Sequence, residues 1–408
     1  MSSALRAPEA RLASPADPTA GLAFAGRQSD AGVRPAICFV GLSNLAVLAP
    51  EIDPSGAAGE PVQHTLLATA LARLGHRVSM VVADHGQPDG AVWEGVQTFK
   101  AYARSAGLPV LRFVHPRWTG LYSAMSRADA DVYYHSCAGG MVGQIALYCA
   151  SRGKQFVFRA ASDADCLPDA LISLGGKPWR DKWLYQHGLR RASRVLVQTA
   201  HQQELMRRNY GVESTIAGLV IQTGRSERGF GERNIDALWV SNMRAVKRPD
   251  VLLNVADLLP QVSFHMVGGT VTGGHQFFET VKVQAASRSN VTFHGAVPYR
   301  DVSAFYSRAR VLVNTSDVEG FPNTYLQAWA SGTPVVAFFD PDGVIAREGL
   351  GATVRAADEM REAVRQLTGE ESAWQAARAR CLAFIERHYS EDAVLRPYLS
   401  CFQARARA

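Results

Sequence analysis

The chain has 408 residues, 47% of them hydrophobic and 20% charged, with a formal net charge of +6. That length exceeds one ordinary core and predicts two domains. The composition is ordinary for a soluble globular protein, no apolar run reaches the ~18–20 residues that span a bilayer, and the basic excess suits an anionic ligand or surface without pointing to nucleic acid.

Residues 1 to 34 are rich in Ala, Pro and Ser and lack the continuous apolar stretch of a secretion signal, so a disordered leader is expected there. Six cysteines, Cys38, Cys137, Cys149, Cys166, Cys381 and Cys401, are scattered without a C-x-x-C pair. Most stand in apolar surroundings, which predicts small core residues in a reducing cytoplasm and no structural zinc.

From residue 36 short β-branched runs alternate with helical segments. "AICFVGL" (36–42) reads as a buried strand, "PVQHTLLATALARLGH" (61–76) as an amphipathic helix, and "RVSMVVA" (77–83) as the next strand. "DVYYHS" (131–136), "KQFVFRA" (154–160) and "RVLVQT" (194–199) follow, each bordered by helical sequence. This is the pattern of a parallel sheet covered on both faces.

"QTGRSERGFGERN" (222–234) is polar, Gly-rich and aperiodic, and predicts an interdomain linker. The alternation then restarts. Strands are expected at 237–241, 262–268, 291–295, 310–315 and 334–339, with helices from Pro249, from about His275 and over 300–308. The closing stretch, from Trp374 to Gln403, reads as helical and long enough to pack back across the junction.

One basic cluster stands out, "KPWRDKWLYQHGLRRASR" (177–194), with six Lys/Arg and two Trp. It fits a solvated amphipathic helix, or a surface that meets anionic lipid headgroups.

Ligands of open parallel sheets bind beyond the carboxyl ends of the strands. "SDVEGFPNTYLQ" (316–327) occupies such a place. Glu319 is expected on the strand-to-helix elbow, Pro322 at the first helical position, and the N–H groups of Gly320 and Phe321 turned outward toward hydroxyl or phosphate oxygens. Taken alone, a carboxylate at this point also fits a partner of the helix dipole. Arg244, Lys247 and Arg248 crowd the start of the helix at Pro249, where the dipole disfavours cations. Three of them there point to a bound anion, most simply a diphosphate. In the first half, Gly56 and Gly59 would let the backbone approach a ligand closely, although their loop is not the G-x-G-x-x-G fingerprint of dinucleotide enzymes.

Together, "EGFPNTYLQAWASGTPVV", "KRPDVLL…LPQVSFHMVGG", "NVTFHGAVPYRDVSAFYSRARVLVNTSDVEGFPN" and "GEPVQHTLLATALARLGHRV" resemble the family 4 glycosyltransferases of the GT-B fold. The resemblance covers nearly everything after residue 35. It implies an α/β architecture of two doubly wound Rossmann-like domains facing a cleft. Residues 35–222 would form an acceptor-side domain, 223–235 the linker, 236–385 the nucleotide-sugar-binding domain, and 386–408 a C-terminal helix across the junction.

Carried over by motif, Glu319 would contact the donor sugar, and Gln327 stands where the family has a second acid on the ribose hydroxyls. A carboxamide can still accept a hydroxyl proton. Lys247 would hold the diphosphate. The family's arginine position is Asn242 here, which makes Arg244 and then Arg248 the substitutes. Gly295 to Val297 would lie near the nucleobase, and Gly59, Gly320, Phe321, Pro322 and Asn323 would complete the donor contacts. The family's acceptor-side histidine is missing; His135, Ser162, Asp163 and Asp165 are the candidates on that side, the two acids either in the cleft or capping a helix.

The resemblance implies sugar transfer from a nucleotide diphosphate to a hydroxyl acceptor with retained anomeric configuration, through front-face attack and without metal or cofactor. A glycan or lipid-linked acceptor in surface-polysaccharide synthesis is expected, with the protein cytoplasmic and peripheral at the inner face of the membrane. A sugar-nucleotide epimerase and a non-catalytic nucleotide-sugar-binding protein are the rival readings.

Overall fold

The computed structural model describes residues 34–54, 59–108, 111–168, 178–221, 224–271 and 273–403. The expected leader up to residue 33, Gly56 and Lys177 lie outside them. The first sheet contains β1 (Ile37–Val40), β2 (Val78–Val82), β3 (Val92–Trp93), β4 (Val96–Lys100), β5 (Val132–Ser136), β6 (Gln155–Arg159), β7 (Arg194–Val197) and β8 (Thr215–Ile216), in the order β3-β4-β2-β1-β5-β6-β7-β8. All neighbours run parallel except β3 against β4. The second sheet is wholly parallel, with β9 (Ile235–Val240), β10 (Phe264–Val267), β11 (Val291–Gly295), β12 (Ala309–Asn314), β13 (Val335–Ala337) and β14 (Gly351–Thr353) ordered β11-β10-β9-β12-β13-β14.

The central strands are apolar on both faces because helices cover both. In β1, Ile37 and Phe39 pack to one side while Cys38 and Val40 pack to the other. Five of the six cysteines are buried and all six are free. Two glycines set one helix crossing. A Cβ on Gly143 would stand 2.4 Å from the Leu184 carbonyl oxygen, and one on Gly188 would stand 2.5 Å from that of Val142. The helices Gly140–Arg152 and Pro178–Arg191 therefore meet backbone to backbone.

In each sheet the strand order reverses at one point, between β1 and β5 and between β9 and β12. These are the crevices where loops diverge and a ligand can enter. Unlike the single helical stretch expected at the end, the chain forms Glu371–His388, breaks at Tyr389 and Ser390, and restarts as Glu391–Phe402 with Ser390 accepting from the Ala393 N–H. Tyr398 and Phe402 of this last helix pack on Tyr134 of β5, and Gln155 donates to the Cys401 carbonyl. The last helix thus completes the core of the first sheet.

Candidate active site

The residues of the second half converge because two loops leave the paired strands β9 and β12 side by side. Trp239 in β9 donates to the Thr315 hydroxyl (3.0 Å), which donates in turn to the Lys247 carbonyl (2.7 Å). The Asp317 N–H bonds the Val246 carbonyl at 3.0 Å. Stitched together in this way, the loops bring Lys247 Nζ within 2.6 Å of Glu319 Oε1. The pair is largely buried, with side chains 18% and 15% exposed, and Asn314 also donates to Oε1 at 3.4 Å. An ion pair this sheltered is screened far less than a surface one.

Arg248, expected beside the diphosphate as the second substitute, faces local carboxylates. It adopts a left-handed backbone (φ 49°) to start the Pro249–Leu258 helix, and its guanidinium bonds Asp250 and Asp317. Local carboxylates thus already neutralise it. Arg244 keeps an exposed side chain, and Asn242 is half-buried beside it.

The elbow after β12 departs from expectation in two ways. Pro322 is the residue before the helix, with ψ 124°, and Asn323 begins it. The Phe321 N–H does not face outward: it donates to Gln198 Oε1 at 2.5 Å, because the loop is seated against the first half. A Cβ on Gly320 would lie 2.6 Å from both the Ala161 carbonyl and Gln198 Oε1, so only glycine allows this approach. The Asp163 N–H reaches the Glu319 carbonyl (3.3 Å), and Asn323 donates to the Gly59 carbonyl (3.2 Å). Asp342 accepts from the N–H groups of Ala200 and His201, at the start of the Ala200–Tyr210 helix. Gln198 and Asp342 were not anticipated. Gln198 directly follows β7, so the rule about strand ends could have found it.

On the acceptor side the open alternative divides. Ser162 and Asp165 form a reciprocal cap on the short turn Asp163–Cys166. Asp165 accepts three backbone N–H groups, from Ala138, Ala161 and Ser162, while burial raises its pKa. That is a structural role. Asp163 instead accepts from Gln202 (3.0 Å) at the elbow contact, and burial, with Asp342 and Glu319 nearby, holds its pKa up. His135 is buried at the end of β5, donates from Nδ1 to the Val40 carbonyl (2.7 Å), and is pushed down to about 4 by burial. It is a neutral histidine, 7% exposed. Glu60, absent from the sequence reading, lies in the first helical turn next to the Gly59–Asn323 contact and is pushed up to about 7 by burial.

Gln327 is held between two tyrosines, accepting from Tyr306 (3.0 Å) and donating to Tyr299 (3.1 Å). Gly295, with φ 68°, turns the chain out of β11 toward Val297. Val297 and Tyr299 line a cavity of about 1110 Å³ between the two halves, walled opposite by Leu48 and Thr65.

The family described as Glycosyl transferases group 1 matches residues 234–370, and the Glycosyl transferase 4-like domain matches residues 59–217. The chain belongs to the family 4 glycosyltransferases. The chain is 23% identical over 186 residues to the alpha-galactosylglucosyldiacylglycerol synthase of Streptococcus pneumoniae, a match that spans 45% of the chain and about half (49%) of that relative. Its fold is similar to a sucrose-phosphate synthase from Thermosynechococcus elongatus (TM-score 0.70, 15% identity, 91% of this chain and 98% of the other). It is also similar to Anabaena HepE, solved with UDP and glucose (TM-score 0.67, 13% identity, 90% and 98%). These likenesses place the two sheets in the GT-B fold.

Proposed function

We propose that this glycosyltransferase moves a sugar from a nucleoside diphosphate sugar to a hydroxyl of a glycan or lipid-linked acceptor, with retention at the anomeric carbon. The observation that carries the reading is the Lys247–Glu319 pair, set by the two loops that diverge at the switch point of the second sheet. Lys247, with Arg244 at the rim, would stabilise the charge that builds on the departing diphosphate, the dominant electrostatic contribution in such sites. Glu319 would trade part of its contact with Lys247 for the sugar and favour its oxocarbenium-like character. No metal is needed in this scheme, because cationic side chains supply the neutralisation.

Incubation with a panel of UDP-, GDP- and ADP-sugars and hydroxyl acceptors should give glycosylated product and free nucleoside diphosphate. Release of a C2-epimerised sugar would favour the epimerase reading. Binding without turnover across the panel would favour a non-catalytic nucleotide-sugar-binding protein.

A lipid-linked acceptor, in line with the glycolipid name of the S. pneumoniae relative, would bring the enzyme to a membrane surface. Among the described residues no helix is long and apolar enough to cross a membrane. The basic cluster, described from Pro178 onward, exposes Trp179 (74%) and Trp183 (56%), along with Arg190, Arg191 and Arg194. Arg180 sits 3.6 Å over the Phe113 ring and joins this helix to a segment that exposes Leu111 and Val114. Apolar and basic groups together suit an anionic interface, at about 1 kcal/mol per basic side chain. The protein is expected to sediment with anionic liposomes at low salt and to be released as salt rises. Changing Arg190, Arg191 and Arg194 to Glu should abolish sedimentation; no change would leave the cluster a solvated helix face. Peripheral attachment at the cytoplasmic face follows from this reading.

A further inference from the structure

We propose that Tyr299, oriented by Gln327, donates a hydrogen bond to a ribose hydroxyl of the donor nucleotide, so that this chain reads the ribose with an O–H donor. The inference rests on the donor reading above and concerns the same site. It follows from where the protons stand. Tyr306 is 1% exposed, and its hydroxyl donates to Gln327 Oε1. The carboxamide N–H then donates to the Tyr299 oxygen, which acts as acceptor in that contact. Tyr299 retains its own proton, and among the described residues none accepts it.

Tyr299 lines the cavity two residues after Val297. Whatever occupies that position must offer an acceptor oxygen or nitrogen to the phenol. Burial pushes Tyr299 up to about 12, so it stays protonated at neutral pH. A carboxylate at position 327 would reverse the polarity: both tyrosines would donate to it, and Tyr299 would have no proton left for a ligand. Gln327 is therefore more than a lost charge. It turns Tyr299 from a partner of position 327 into a group that faces the ligand.

Calorimetry with UDP, GDP and ADP on the full chain tests this. For whichever nucleotide binds, Tyr299→Phe should weaken affinity about 2- to 12-fold, the range of one neutral hydrogen bond. With the 2′-deoxy or the 3′-deoxy form of that nucleotide, wild type and Tyr299→Phe should bind equally, because the accepting oxygen is gone. In a Gln327→Glu background, Tyr299→Phe should no longer cost affinity, a non-additivity that a packing role would not produce. Equal affinity of wild type and Tyr299→Phe, or the same loss with both deoxy forms, overturns the inference. If Lys247→Ala still weakens binding in that case, the donor reading stands and only the role of Tyr299 falls. If wild type binds none of the three nucleotides, both fall together.

Discussion

Glu319→Ala is expected to lower turnover by about 100-fold or more, the scale of removing one preorganised electrostatic group from a transition state, while the protein stays folded. Two carboxylate contacts are lost, the 2.6 Å pair with Lys247 and the weaker bond from Asn314. Neither anchors the loop, which is held by Thr315, the Asp317 N–H and the Phe321–Gln198 bond. Glu319→Gln separates charge from shape, since the amide oxygen can still accept from both partners. If the charge matters to the reacting sugar, Gln should lose most of the activity that Ala loses. Thermal melts alongside single-turnover rates check both statements. Turnover unchanged in a folded Glu319→Ala protein would reduce the residue to a counter-ion for Lys247.

Replacing Lys247 by Ala should weaken nucleoside diphosphate binding about 10- to 100-fold, the loss of one hydrogen bond to a charged group. The structure ranks the three cations of this turn. Lys247 is sheltered and faces Glu319; Arg244 is exposed; Arg248 is already committed to Asp250 and Asp317. Calorimetry should therefore show Lys247→Ala as the most damaging, Arg244→Ala next and Arg248→Ala least. A larger loss from Arg248→Ala than from Lys247→Ala would mean that the turn rearranges when the anion arrives. Equal affinity of Lys247→Ala and wild type would remove Lys247 from the diphosphate.

The central strands were legible because burial on both faces forces continuous apolar runs, as in β1, β5 and β12. The β3–β4 hairpin was not: it turns at Glu94–Gly95 with both residues at positive φ, and Glu is not a residue that signals such a turn. Strands β8 and β14 have two and three residues, too few for a period. The pairing of Lys247 with Glu319 could be anticipated from loops that follow neighbouring strands. What Gln198 and Asp342 do could not. Their partners come from the opposite half, and local pattern carries no information about how two separately folded surfaces meet. Gln327 shows the same limit, because its two hydrogen-bond partners are tyrosines 28 and 21 positions away.

The chain passes between the sheets twice, once after β8 and once at the break between the last two helices. Val220 and Ile221 from the first passage and Tyr389 and Ser390 from the second line the same cavity. Gln63 clamps Val220 through both its N–H and its carbonyl, and Tyr398 bonds the Gly218 carbonyl. Two adjacent pins define a door rather than a ball joint. Relative movement of the halves would then be a swing about one axis, with twisting resisted by the second pin. The hydrogen bonds at Asp342, Gln198 and Asn323 would be the catch that such a swing has to release. A spectroscopic ruler with one end at residue 342 and the other on the Ala200–Tyr210 helix would report that swing as a single distance coordinate.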